Sequence, residues 1–125
     1  AAKFRAEAMV MTAIDAAGEG HVLDLPMGMP FRGAVVKAGA DHLLFVIHPR
    51  GEEWTLTTIR SGDDTFENRA DLPVAWAGQK DAALEEASGV KGAKFCHNGR
   101  FIAVADSREA ILQMADIAVK EALAA

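Results

Sequence analysis

The chain has 125 residues, 50% of them hydrophobic and 25% charged, which is the balance of an ordinary globular domain. Its formal net charge of −5 gives it no overall field that would draw it to nucleic acid or to an anionic membrane. No apolar run approaches the length of a membrane span, and a single cysteine, Cys96, excludes an intrachain disulfide. We therefore expect one domain over residues 1–125, with no membrane contact, in a reducing cytoplasm.

The first half of the chain predicts two helices and three strands. An amphipathic helix carries Phe4, Ala8, Met11 and Ile14 on one face and is ended by Gly18 and Gly20. A short strand is expected at HVLDL and a short helix at PFRGAVVKAG. Two strands follow at HLLFVIHP and EEWTLTTIR, the first buried on both faces and the second paired with it through a hairpin.

The second half begins with an irregular segment whose buried residues are predicted to be Phe66, Leu72 and Trp76. A helix that ends at Gly89 leads into two strands, AKFCH and RFIAVA. The last helix begins at Asp106 or Ser107, and its apolar stripe is Ile111, Ala115, Ala118 and Ala122, widened by Leu112, Val119 and Leu123. The order αβαββαββα predicts an α+β domain, in which helices pack on an antiparallel or mixed sheet of about five strands.

The histidines and the cysteine lack the spacing of a metal site. His21, His42, His48, His97 and Cys96 form neither an HxxxH nor a CxxC pair. Cys96 and His97 are neighbours on a strand, so they face apart, with Cys96 on the side of Phe101. We expect no metal ligands, no cofactor and no catalytic residue in this chain. Asp41-His42 is interpreted as a turn before the buried strand.

The turn Asn98-Gly99 is the strongest binding candidate. A two-residue type I′ turn would place His97 directly opposite Arg100, near the start of the last helix. A histidine, an arginine and a helix N-terminus could hold an anion, or both side chains could simply solvate a loop tip.

The preceding loop is a second candidate. Arg60, Asn68 and Arg69 could contact a phosphate-bearing ligand. Alternatively, Arg69 pairs with one of its acidic neighbours, which are Asp63, Asp64, Glu67 and Asp71.

One long run carries a family resemblance. The sequence TFENRADLPVAWAGQKDAALEEASGVKGAKFCHNGRFIAVADSREAILQMA follows the pattern SFENRxxLPxxWxGxxxxxLxxxSG…FxHxxGFI. It resembles the C-terminal part of the melanocyte-proliferating-gene family, an uncharacterised family of metal-dependent hydrolases. That family is similar to the DHH phosphoesterase superfamily, and its members are thought to act as nucleases.

The resemblance implies that metal binding and substrate binding belong to different domains. The family's metal ligands belong to an N-terminal domain that is absent from this chain, so the divalent metal is expected there. What remains resembles the DHH-associated region that closes over the active site and helps to hold the substrate. The positions that match FxHxxGFI are His97, Gly99, Phe101 and Ile102, and Ala103-Val104 departs from the family's small residues, often Gly-Gly.

Two functions from different classes follow. The first is a substrate-binding accessory domain, inert alone, that works with a catalytic DHH domain in cis or trans. It would bind a phosphate-bearing ligand or a nucleic acid end through His97, Gly99, Arg100, Arg69 and Arg32. The second is an interaction or dimerisation module without ligand binding, in which the Ala-rich first and last helices contact a partner or a second copy.

Overall fold

The structure, a computed structural model, describes residues 2–62 and 64–124, with side chains from residue 5 onward. The helices are α1 (Ala2–Ala17), α2 (Arg32–Lys37), α3 (Asp81–Ser88) and α4 (Arg108–Ala124). The strands are β1 (Val22–Asp24), β2 (Phe45–Arg50), β3 (Glu53–Thr58), β4 (Ala93–Cys96) and β5 (Ile102–Ala105), and a 3₁₀ turn spans Val74–Trp76. The predicted α+β class and the order αβαββαββα are confirmed.

The five strands form one mixed sheet in the order β1-β2-β3-β5-β4. β1 runs parallel to β2, and all other neighbours are antiparallel. The β2–β3 hairpin turns at Gly51, whose φ of 63° lies in the left-handed region that a tight hairpin needs. The parallel pair needs a crossover, and α2 lies within that connection.

The sheet separates two hydrophobic cores. On one face α3 and α4 cover Phe45, Ile47 and Leu56, with Ile111 and Met114 of α4 fully buried against them. On the other face α1 and α2 cover β1 and β2, and the core there contains Val10, Leu23, Val35, Val46 and Ile59. Successive residues of β2 thus enter opposite cores, which confirms the prediction of a strand buried on both faces.

The predicted buried residues of the irregular segment are partly confirmed. Leu72 and Trp76 are buried, but the prediction for Phe66 is wrong, because its side chain is 87% exposed. The backbone explains the difference: Ser61 N–H donates to Glu67 O at 2.8 Å and Arg69 N–H to Ile59 O at 2.8 Å. These bonds make residues 59–62 and 64–69 a narrow excursion that carries Phe66 away from both cores.

The last helix is capped by Ser107, whose Oγ accepts a hydrogen bond from Ala110 N–H at 3.1 Å. Its buried face is made of Ala110, Ile111, Met114, Ala115 and Ala118. Leu112 and Leu123 point outward, 41% and 60% exposed, so their predicted place in the stripe is wrong.

The first helix ends as predicted, at Gly18. Val10, Ala13 and Ile14 form its buried face, whereas Ala8 is exposed and the side chain of Phe4 lies outside the described residues. Among the helices of residues 2–62 and 64–124, none combines the length and apolarity needed to cross a bilayer.

Candidate functional site

The connection between β4 and β5 is longer than a two-residue hairpin. Cys96 pairs with Ala103, and His97 N–H donates to Ile102 O at 2.9 Å, so residues 98–101 form the loop. Arg100 N–H donates to His97 O at 2.9 Å, and Arg100 has a φ of 60°. The predicted type I′ turn with His97 opposite Arg100 is therefore wrong, as is the pairing of Cys96 with Phe101.

A tertiary contact fixes this loop. Leu72 N–H donates to Arg100 O at 3.0 Å, and Arg100 Nε donates to Leu72 O at 2.8 Å. Arg100 also lies beside Glu121 and Ala122, in a groove near the C-terminal end of α4. The prediction that the loop lies near the start of the last helix is wrong, because α4 runs back along the sheet from β5. The anion site built from His97, Arg100 and a helix N-terminus does not form.

His97 belongs instead to a row of rings on the sheet surface. Its ring centroid lies 4.5 Å from that of Phe101 and 6.4 Å from that of Phe95. Gly99 N–H donates to His97 Nδ1 at 2.8 Å, which fixes the ring orientation. A Cβ at Gly99 would lie 3.0 Å from Phe101 Cδ1 and 3.1 Å from His97 Nδ1, so a side chain there would press on both rings of this stack.

An open cavity of about 680 Å³ lies beside this row, between the excursion 59–69 and the loop 98–101. Arg60 and Phe66 form one side, with the Arg60 guanidinium 4.9 Å from the Phe66 ring centroid. Phe101, 45% exposed, also lines the cavity. The remaining lining residues come from the strands and their neighbours: Phe31, His48, Thr57, Thr58, Asn68, Gly99 and Ile102.

The His48 ring, which lines this cavity, is held by contacts at both of its nitrogens. Its Nδ1 lies 3.0 Å from Pro49 O and its Nε2 lies 3.0 Å from Thr55 Oγ1. Gly28 packs on the ring, since a Cβ there would lie 3.1 Å from His48 Cε1. Sequence reasoning missed His48 and Phe66 as cavity residues, because a histidine within an apolar strand and an apolar side chain in a loop both indicate packing.

The Arg69 side chain hydrogen-bonds to backbone carbonyl groups. Its Nη1 donates to Ala40 O and Leu43 O, both at 2.8 Å, and Nη2 lies 3.8 Å from Asp41 Oδ1. The predicted pairing with Asp64, Glu67 or Asp71 is thus replaced by one with Asp41, and Asp63 lies outside the described residues. Arg32 is the half-buried first residue of α2, next to Phe31.

The remaining histidines bind the backbone. His21 Nδ1 lies 2.8 Å from His42 O, and His42 Nε2 lies 2.9 Å from Gly18 O. Asp41-His42 is a turn, as predicted. Within the described ranges, no group of three or more His, Cys, Asp or Glu side chains could hold a metal ion.

Cys96 lies on the other face of the sheet, in the core under α4. Burial raises the pKa of its thiol to about 11, against the opposing charge of Arg100. A buried, protonated thiol is not a nucleophile.

Fold and site together define a class: a small α+β domain whose sheet carries an open cleft lined by aromatic rings and a guanidinium. A family model, MYG1_exonuc, described as "Uncharacterised protein family (UPF0160)", matches residues 1–119. The chain belongs to this family.

Curated relatives agree with this assignment. The chain is 37% identical over 78 residues to the MYG1 protein of Chlamydia muridarum, covering 62% of this chain and 27% of the relative. It is 34% identical over 74 residues to human MYG1 exonuclease, covering 58% of this chain and 20% of the relative. The chain therefore matches about a quarter of the length of these relatives. No solved structure matches it significantly.

The assignment of Gly99 to the glycine of the family pattern is wrong by one position. Counted along FCHNGRFI, the glycine of FxHxxGFI falls on Arg100 and not on Gly99. Arg100 has a φ of 60°, a conformation that glycine adopts without steric cost. The pattern thus describes a left-handed loop position, which this chain fills with an arginine tied to Leu72.

Proposed function

We propose that this chain is the substrate-binding accessory domain of a DHH-type metal-dependent phosphoesterase or nuclease, and that it is inert alone. Membership of a family whose human, mouse and rat relatives are named exonucleases supports a nuclease-family role. The catalytic residues and their divalent metal would belong to a separate domain, supplied in cis or in trans. The expected setting is the cytoplasm.

The observation that carries the proposal is the cavity between Phe66 and Phe101. Two large apolar side chains left 87% and 45% exposed cost free energy in water unless a ligand covers them. Their π-faces can stack on nucleobases, and Arg60 places a cation beside them for a phosphate. A single-stranded nucleic acid end has both features.

The five predicted contact residues divide by role under this proposal. Gly99 and His97 position the Phe101 ring, while Arg100 and Arg69 hold the loops that frame the cleft. Arg32 follows Phe31, so it would contact a ligand at the rim. Arg60, Phe66 and Phe101 would make the direct contacts.

The test is titration of a short fluorescent single-stranded oligonucleotide with the purified chain. Stacking on one aromatic side chain is worth about 1–3 kcal/mol, so Phe66→Ala and Phe101→Ala should each weaken binding about five-fold or more. The matched control is Leu123→Ala, another exposed apolar truncation, on α4. Equal affinity of all four proteins, or no binding by the wild type, would contradict the proposal.

Inertness is tested separately. The chain, incubated with the same oligonucleotide and Mn²⁺ or Mg²⁺, should release no products. Metal-dependent cleavage by a preparation free of contaminating nuclease would show that the chain is itself an enzyme.

The alternative, a dimerisation module, uses a different surface. The alternative predicts smooth faces on the Ala-rich first and last helices, but Ala110, Ala115 and Ala118 of α4 are buried and do not contribute to such a face. The outer face instead offers Leu112 and Leu123. Sedimentation equilibrium distinguishes the functions: a dimer broken by Leu112→Ala, together with no oligonucleotide binding, would favour the module.

A further inference from the structure

The loop at the mouth of the cleft contains a reactive dipeptide with a base already in contact with it. Asn98 and Gly99 are exposed, and no side chain at Gly99 shields its backbone nitrogen. That nitrogen donates its hydrogen to His97 Nδ1 at 2.8 Å, which is within the range for proton transfer to a general base. We propose that Asn98 is a site of self-catalysed deamidation, with His97 as the base.

The chemistry needs only the chain and water. His97 Nδ1 takes the proton from Gly99 N, which attacks the Asn98 side-chain carbonyl carbon and forms a five-membered succinimide. The carbon–nitrogen bond of the Asn98 amide breaks, and the amide leaves as ammonia after receiving the proton that His97 returns. Water then opens the succinimide at either carbonyl, giving aspartate or isoaspartate at position 98.

The local structure favours this step over the same reaction elsewhere in the chain. The Phe101 ring, 4.5 Å from that of His97, keeps the imidazole over the loop. Asn68, the other asparagine, is followed by Arg69, whose N–H is bonded to Ile59 O. Asn68 Nδ2 also donates to Asp71 Oδ1 at 2.9 Å. Asn68 is therefore an internal reference that lacks both the flanking glycine and the base.

Deamidation adds a negative charge next to Gly99, which lines the cleft. The inference about the reaction does not depend on the proposed function, because it concerns only the chain's own atoms. Its consequence for a phosphate-bearing ligand would be weaker binding, since a carboxylate would then lie one residue away from the cleft lining.

The experiment incubates the folded chain near neutral pH and quantifies amide-to-acid conversion at Asn98 and Asn68 by peptide mass spectrometry. Conversion should be confined to Asn98. His97→Phe keeps a ring for packing on Phe101 but removes the base, and it should slow conversion at least about ten-fold. Thermal melts check that the variant is folded.

A denatured control isolates the geometry. In concentrated urea His97 no longer holds the Gly99 N–H, so wild type and His97→Phe should react at the same rate. Equal rates in the folded proteins would overturn the proposal. An effect of His97→Phe that persists unchanged in urea would also overturn it, because the cause would then be local sequence and not the folded loop.

Discussion

At the scale of single residues, Cys96 links pH to stability. Burial raises the pKa of its thiol from about 9 to about 11 in the folded chain. Between those values the unfolded state has lost the proton and the folded state keeps it. The free energy of unfolding should therefore be unaffected below about pH 9 and fall as the pH rises toward about 11, by at most about 2–3 kcal/mol.

Urea unfolding of wild type and Cys96→Ala across this range checks the effect. The variant has a lower baseline, because a small cavity replaces the sulfur, but it should lack the decline that the thiol causes. Parallel curves for the two proteins would show that Cys96 ionises equally in both states.

Sequence patterns predicted the relations between neighbouring residues but not the contacts between distant ones. Strand alternation correctly separated Cys96 from His97, because that rule needs only neighbouring residues. The position of Arg100 depends on Leu72, 28 residues earlier, and no local turn preference contains that contact. Arg69 is similar, since its carbonyl partners Ala40 and Leu43 lie in a distant turn.

At the scale of elements, Gly92 connects α3 with the segment that leads into α4. Its N–H donates to Glu85 Oε2 of α3 at 2.7 Å, and its carbonyl accepts from Asp106 N–H, just before α4, at 2.9 Å. Gly92 has a φ of 97°, and a Cβ there would collide with Asp106 Oδ1. Gly92→Ala should therefore lower the free energy of unfolding by about 2–3 kcal/mol, measured by urea denaturation.

Two further variants separate the causes. Gly33→Ala, in α2 with nothing within 4 Å of the added Cβ, should be neutral or slightly stabilising. Asp106→Ala in the Gly92→Ala background removes the collision but not the backbone strain, so part of the stability should return. An additive double mutant would mean that the two residues do not interact.

Periodicity and end signals predicted the elements well. Glycines at the ends of α1 and α3, and apolar runs of the length of strands, are local features. The errors concern residues whose burial depends on tertiary packing. They are Phe66 on the excursion, and Leu112 and Leu123 on the outer face of α4. An apolar residue tends to be buried, but it is buried only where the fold packs another element against it.

At the scale of the whole molecule, the net charge of −5 would constrain how the cleft binds a nucleic acid under the proposed function. Among the residues that line the cavity, Arg60 is the cation. Each neutralised phosphate of a single strand contributes a slope of about −0.7 to log K against log salt concentration, so we expect Arg60 to give a total slope near −0.7.

Titrations over a range of NaCl concentrations measure this slope. Arg60→Ala should reduce its magnitude by about 0.7. Lys120→Ala, which removes a cation paired with Asp116 on α4, should leave it unchanged. A steep slope that survives Arg60→Ala would place the ligand on another surface.

The sheet could be predicted only as antiparallel or mixed, because hairpins are visible in the sequence and long-range pairing is not. The parallel pairing of β1 with β2 depends on how the connection through α2 crosses the sheet. The segment that carries the family resemblance, by contrast, contains both aromatic rings of the cleft, Phe66 and Phe101, although it begins after Arg60.

The two-sided burial of β2 has a consequence for how the molecule opens. β2 and β3 are interior strands, and β2 feeds both cores, so their amide protons should exchange with solvent only when the whole domain unfolds. The excursion that carries Phe66 is held by few backbone bonds and should exchange through local opening. The cleft therefore lies between strands whose amides should exchange only on global unfolding and a loop whose amides should exchange through local opening.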